Sequence, residues 1–157
     1  AEGAPGAGLP MDSGWTKVAA VATSDAKQPQ TIWDSRVALA VISLLDEAFS
    51  QGFHRHSHVW CEQLCLIKSR SKYRNQRIAE LGNRWWIKSD RDDEGHWRGH
   101  LVGGWVVRGM VEALNRNPGQ FPFPTEALTE KIGPYFDPAP RKWDAFNVGL
   151  ALFMMGK

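Results

Sequence analysis

Cysteine is scarce in this chain: Cys61 and Cys65 are the only two, four positions apart. A pair that close, on what reads as one helix, makes no disulfide framework, so a reducing compartment is expected. Long hydrophobic runs are missing as well. No stretch approaches the ~18 consecutive apolar residues that a membrane-crossing helix needs. The opening AEGAPGAGLP has neither the basic start nor the apolar core of a secretory signal. A dominant charge is also lacking, since 19 Lys and Arg face 17 Asp and Glu for a net +2. That balance is compatible with a nucleic-acid partner but does not argue for one. No internal repeat is visible, and no convincing period-two alternation suggests a sheet protein.

What is present fits one compact domain: 157 residues with 43% hydrophobic content are short for two. Residues 1–10, rich in Gly, Ala and Pro, read as a flexible arm, and residues 11–157 as a single helical domain. The first residue is Ala rather than Met, which leads us to expect processing or a fragment. WTKVAAVAT, 15–23, reads as a short buried helix opened by Ser13 or Gly14, with Pro29 forbidding its continuation through 25–30. The strongest element is DSRVALAVISLLDEAFS, 34–50, with Asp34 at the N-cap position and Gly52 just past the end. Further helices are expected over 59–67, from the basic stretch 68–77 to Leu81, over 96–115, over TEALTEKI after Thr125, and over 141–155. Residues 82–95 read as a polar loop, and NPGQFPFP, 117–124, as a rigid turn. The glycines of 96–115 weaken that helix unless they admit close packing. The fold class is therefore all-α, many short helices with Pro- and Gly-rich joints.

Chemistry concentrates in SGWTKVAAVA followed by TIWDSRVALA. A lysine, Lys17, stands near the start of one helix, and an aspartate, Asp34, opens the next seventeen residues later. Two helix beginnings can face one cleft. The positive end of a helix and burial both favour the neutral amine, which is the form that attacks carbon. A carboxylate fixed beside it suits a cation-like sugar centre.

These two segments resemble the lysine-and-aspartate region of the helix–hairpin–helix DNA glycosylases, in particular the 8-oxoguanine type. HWRGHLVGGWVVRGMVEAL and RKWDAFNVGLALFMMG resemble the last helices of proteins with that fold. The resemblance runs from about Leu9 to Gly156. It implies a multi-helix glycosylase-like domain with a helix–hairpin–helix element. It makes Lys17 the nucleophile and Asp34 the catalytic aspartate. Gly14, Trp15, Thr16 and Arg36 become DNA contacts, and Trp143, Asp144 and Phe146 the lining of a base pocket. The implied activity is excision of an oxidised purine from double-stranded DNA through a lysine Schiff base, with no metal or organic cofactor. The site of action would be the bacterial cytoplasm at the nucleoid, or a eukaryotic nucleus. Two departures stand out. Ser13-Gly14-Trp15 replaces the usual Gly-x-Gly before Thr-Lys, and the helices that precede the hairpin in that fold have no counterpart in the fourteen residues before Trp15. Another polypeptide completing the domain, or a non-catalytic nucleic-acid-binding or partner-docking domain of the same fold, is the alternative.

Two other clusters compete for attention. His54, His56, His58, Cys61 and Cys65 hold zinc-type donors, but their spacing matches no common zinc pattern, and cysteines on an apolar helix are ordinary core. Arg70, Lys72, Arg74, Arg77 and Arg84 are interleaved with Tyr73, Trp85 and Trp86, a mixture that suits nucleic-acid backbones and equally a solvated helix face. Trp97, Trp105 and Trp143 are expected in the core.

Overall fold

A computed structural model of the chain describes residues 13–23, 30–52, 62–87, 93–124 and 142–156. Among these, five helices and two short strands succeed one another. They are α1 (Ser13–Ala22), α2 (Ser35–Ser50), β1 (Cys65–Leu66), α3 (Lys72–Leu81), β2 (Trp86–Ile87), α4 (Asp93–Arg116) and α5 (Ala145–Met155). The protein is mostly helical, as expected. No helix of the described residues is long and apolar enough to cross a membrane. The arm 1–10, the HRHSH run with Cys61, and TEALTEKI lie outside the described residues.

The central helix is α2. The Asp34 carboxylate accepts from the Arg36 and Val37 backbone N–H groups at 2.9 and 3.1 Å, satisfying two donors that a helix start leaves without partners. At the other end Gly52 takes φ +99°, a left-handed conformation that glycine adopts without a Cβ clash, and the helix stops there. Six consecutive residues, Val37 to Ile42, are buried, so this part of α2 is enclosed on all sides. Its far half is tied down by Asp46, whose carboxylate accepts from Trp85 Nε1 and Arg84 Nη1, both at 2.8 Å. The Trp85 ring stacks on Phe49 at 5.7 Å.

Two sequence expectations give way here. The helix expected over 59–67 is not helical beyond Gln63: Cys65 and Leu66 form β1, pairing in parallel with Trp86 and Ile87 of β2. Leu64, Cys65 and Leu66 are all fully buried, so consecutive side chains are enclosed on both faces; helical and strand readings of so short an apolar run look alike. The expected loop 82–95 accordingly contains β2, and α4 begins at Asp93. Helix α3 makes the crossover that a parallel pair requires.

Helix α4 shows what its glycines do. A Cβ on Gly103 would run into the six-membered ring of Trp33, and one on Gly99 would meet Cys65 Sγ at 2.6 Å and Trp33 Nε1 at 3.1 Å. The two glycines, one turn apart, therefore form a flat bed for the indole of Trp33, which is fully buried. Gly104 faces open space, and Trp105 is 63% exposed. Two residues beyond Gly103, Trp105 points away from Trp33, which is why it stays out of the core despite its type.

The same bed carries two histidines one turn apart, His96 and His100, both buried. Burial, with the like charge of His96 adding to it, pushes His100 down to about 4. Above pH 6.5 the ring is neutral in folded and unfolded chains alike. Between pH 6.5 and 4 the unfolded chain binds a proton that the folded one refuses, so stability falls as pH falls and levels off below the folded value.

Two outcomes are expected. Acidification from pH 7 to 4 removes roughly 3 kcal/mol through this residue alone, and urea titrations at several pH values will find that slope flattened in His100→Leu. Gly103→Ala costs about 1–3 kcal/mol by overpacking Trp33, whereas Gly104→Ala adds up to about 1 kcal/mol from helix propensity; thermal melts of the two variants should move in opposite directions.

Candidate functional site

The site begins with Trp33. Because its indole is laid on α4, residues 31–34 are drawn into the interior, and Thr31, Ile32, Trp33 and Asp34 are all buried. Their backbone polar groups then need partners. Thr16 on α1 supplies those of Trp33. Its hydroxyl donates to the Trp33 carbonyl at 3.3 Å and accepts from the Trp33 N–H at 3.1 Å. This pair of hydrogen bonds from one side chain to one residue fastens α1 to the entrance of α2. Lys17 is the next residue, and its Nζ comes within 3.4 Å of Asp34 Oδ2. The two side chains meet, but Lys17 stands in the second turn of α1 rather than at its start, while Asp34 is the N-cap of α2.

The carboxylate is divided between two tasks. Oδ1 caps α2, while Oδ2 faces the amine. The Asp34 side chain is only 9% exposed, but that of Lys17 is 44% exposed, so the amine is held on one side and open to solvent on the other. An amine of this kind can meet an electrophile from outside, with a fixed negative charge immediately behind it.

The remaining expected site residues are distributed differently. Thr16, expected as a DNA contact, is 1% exposed and bonded to Trp33, so its side chain faces inward. Gly14 and Trp15 lie in the first turn of α1 rather than in a turn before it, and Trp15 is 58% exposed. Its neighbours Val18 and Val21 are similarly exposed; α1 buries only the narrow side bearing Thr16 and Ala20, not the whole surface that its Ala/Val content suggested. Arg36 places its guanidinium over the Phe153 ring of α5 at 4.3 Å. One turn earlier on α5, Gly149 passes Thr31 and Ile32, and Gly156, just past the helix end, packs on the Arg36 backbone. The last helix therefore runs beside the segment that carries Asp34.

Trp143, Asp144 and Phe146 occupy the joint leading into α5. Asp144 caps that helix, accepting from the Asn147 backbone at 2.7 Å and from its side-chain amide at 2.9 Å. This cap sets the helix start at Ala145, four residues later than expected. Trp143 is clasped through its backbone by the Asn115 amide, donates from Nε1 to the Phe121 carbonyl at 3.1 Å, and meets Phe123 edge-on. Phe146 is half-buried against the core. A groove of about 320 Å³ lies between α2, α3 and the end of α5, and none of Lys17, Asp34, Trp143, Asp144 or Phe146 lines it. Cys65, one of the expected zinc-type donors, is a buried thiol donating to the Gly95 carbonyl, and no group of three or more metal donors forms among the described residues.

Sequence reasoning missed Trp33 and Phe153. The signal for Trp33 was available: a tryptophan next to the candidate aspartate, and glycines one turn apart on a later helix. Phe153 carried no signal beyond being apolar. In comparisons with known proteins, the chain matches no protein-family model, no curated protein and no solved structure.

The two tasks of Asp34 can be separated. Asp34→Ala should lose about 1–2 kcal/mol, the cost of an N-cap. Asp34→Asn keeps an oxygen for the cap and loses only a half-exposed ion pair, so its unfolding free energy, from urea titration, should stay within about 1 kcal/mol of the parent.

Proposed function

We propose that the protein is a DNA glycosylase/lyase of the helix–hairpin–helix kind, acting on an oxidised purine such as 8-oxoguanine. The single observation that carries this reading is the 3.4 Å approach of Lys17 Nζ to Asp34 Oδ2, with the amine half-exposed and the carboxylate nearly buried. The sequence resemblance supports it, by placing a nucleophilic lysine and a catalytic aspartate on these two positions.

In this reading the damaged base is turned out of the duplex. The Lys17 ammonium first releases its proton to solvent on its exposed side, and the free amine attacks C1′ of the deoxyribose; the C1′–N9 bond breaks, and its electron pair leaves with the base, which takes up a proton from solvent. Opening of the sugar ring converts the Lys17–C1′ adduct into a protonated Schiff base, and β-elimination of the 3′ phosphate can then occur. Asp34 stabilises the positive charge that builds on the sugar as the base departs. No metal or organic cofactor enters any of these steps. Arg36, seated on Phe153, would turn its outer N–H groups toward a phosphate. Trp143, Asp144 and Phe146 stand at the start of α5, at the opposite end from Phe153 and Gly156, which meet Arg36.

A second reading is a nucleic-acid-binding domain without a reaction, and one observation favours it. The Thr16–Trp33 bonds and the Asp34 cap account for the Lys17–Asp34 contact as helix fastening alone. Borohydride trapping on an 8-oxoguanine duplex separates the two. Under the glycosylase reading the parent protein forms a covalent DNA adduct, Lys17→Gln forms none, and Asp34→Asn slows base excision by at least about tenfold while duplex binding holds. Equal trapping by parent and Lys17→Gln removes Lys17 as nucleophile; no adduct and no abasic product from either leaves the binding domain.

A further inference from the structure

From Gln63 to Ala79 the chain contains no acidic residue, yet it holds Lys68, Arg70, Lys72, Arg74 and Arg77. The exposure of this stretch keeps a strict rhythm. Ile67, Ser69 and Ser71 are turned partly inward, and Lys68, Arg70 and Lys72 between them are exposed. This alternation leaves three cations exposed within five residues, Arg70 at a bend and Lys72 at the first position of α3. The inward residues hold the segment still. Asn75 clasps Ser69 by accepting from its N–H at 2.8 Å and donating to its carbonyl at 2.6 Å, and Arg74 Nε donates to Ser69 Oγ at 2.7 Å. Ser71 caps α3. The frame is therefore set before any partner arrives, which lowers the ordering cost of binding.

Beside this row stands Tyr73, 74% exposed, the most exposed large hydrophobic side chain among the described residues. Tyr73 and Arg77 form one wall of the 320 Å³ groove, whose other walls include Leu39, Ser43, Glu47 and Met155. Among the described residues, no carboxylate lies within ion-pair distance of Lys68, Arg70 or Lys72, while Arg77 pairs with Glu80 and Arg84 with Asp46.

We infer that this surface binds single-stranded or locally unpaired nucleic acid. Its phosphodiester backbone tracks along Lys68, Arg70 and Lys72, and one unpaired base enters the groove against the Tyr73 ring. The row of cations answers a regularly charged backbone, and the exposed aromatic beside a groove answers the face of a base, which a duplex keeps stacked and hidden. Leu39 and Met155 offer the base apolar contact, and Ser43 and Glu47 offer its edge hydrogen-bonding groups. An acidic peptide would use the cations and leave Tyr73 idle. The binding does not depend on Lys17, which lines no part of this groove.

Fluorescence anisotropy with a labelled fifteen-nucleotide oligothymidine (dT15), a duplex of equal length and a polyglutamate competitor tests this on the full chain. The single strand should bind more tightly than the duplex. Replacing Lys68, Arg70 and Lys72 together by Gln should lower the slope of log affinity against log salt by about 2. Tyr73→Ala should weaken binding about tenfold or more with the slope unchanged, and Tyr73→Phe should restore it. All these positions are exposed, and circular dichroism checks that the variants fold. Lys17→Gln should bind as the parent does, so this result stands apart from the adduct assay. Equal or tighter duplex binding with Tyr73→Ala neutral overturns the inference, as does displacement by polyglutamate as effective as by unlabelled oligothymidine.

Discussion

The burial of Trp33 is the constraint on which the site depends. An indole needs a large flat surface, and Gly99 and Gly103 provide one on α4 because neither has a Cβ to obstruct it. Once the ring is laid there, the backbone of residues 31–34 is carried into the interior, where its polar groups cannot be left without partners. At Trp33, Thr16 meets that need with one hydroxyl acting as donor and acceptor. The register of α1 against the start of α2 is then settled, and Lys17 and Asp34 are brought together as neighbours of the two fastened residues. The contact between amine and acid is a product of packing some distance away. The ion pair itself, with a half-exposed lysine, contributes about 1 kcal/mol or less to stability.

The arginines divide the molecule by use. Arg36 lies on Phe153, Arg98 over the ring of Trp86, and Arg84 against Asp46; each joins two different parts of the fold. Arg74 is spent on the turn before α3. The stretch with the highest density of positive charge, 68–72, uses none of its three cations in an ion pair among the described residues. Charge placed at low structural cost and without internal employment is available to a partner, whereas a basic composition spread evenly over paired sites would not be.

Much of this architecture was legible in the sequence because helix ends carry strong local signals. Asp34 and Gly52 bracket α2 as expected; Ser71 and Asp144 cap α3 and α5 by the same hydrogen-bonding chemistry, though neither was expected in that role. The approach of Lys17 to Asp34 was expected from two helix starts, but it comes from the second turn of α1 and the N-cap of α2. The β1–β2 pair was not. Two-residue strands lack enough length to show a period, and the fully apolar Leu64–Leu66 fits a buried helix equally well. Nor could type alone place the tryptophans. Trp33 and Trp85 are core, Trp105 and Trp15 are exposed, and the difference lies in which side of each helix meets a neighbour. Thr16 illustrates the remaining limit. Its position beside Lys17 suggested a ligand contact, and only the three-dimensional path of residues 31–34 shows that its hydroxyl is already engaged.

The proposed chemistry assigns a distinct reactivity to one lysine among several, and that can be read directly. Incubation of the parent protein with a duplex bearing an abasic aldehyde, reduction with borohydride and mass-spectrometric mapping of the modified peptide will identify the residue that bonds to the sugar. Modification confined to Lys17 is the expected result. A sugar attached to other lysines, with Lys17 unmodified, would contradict the assignment.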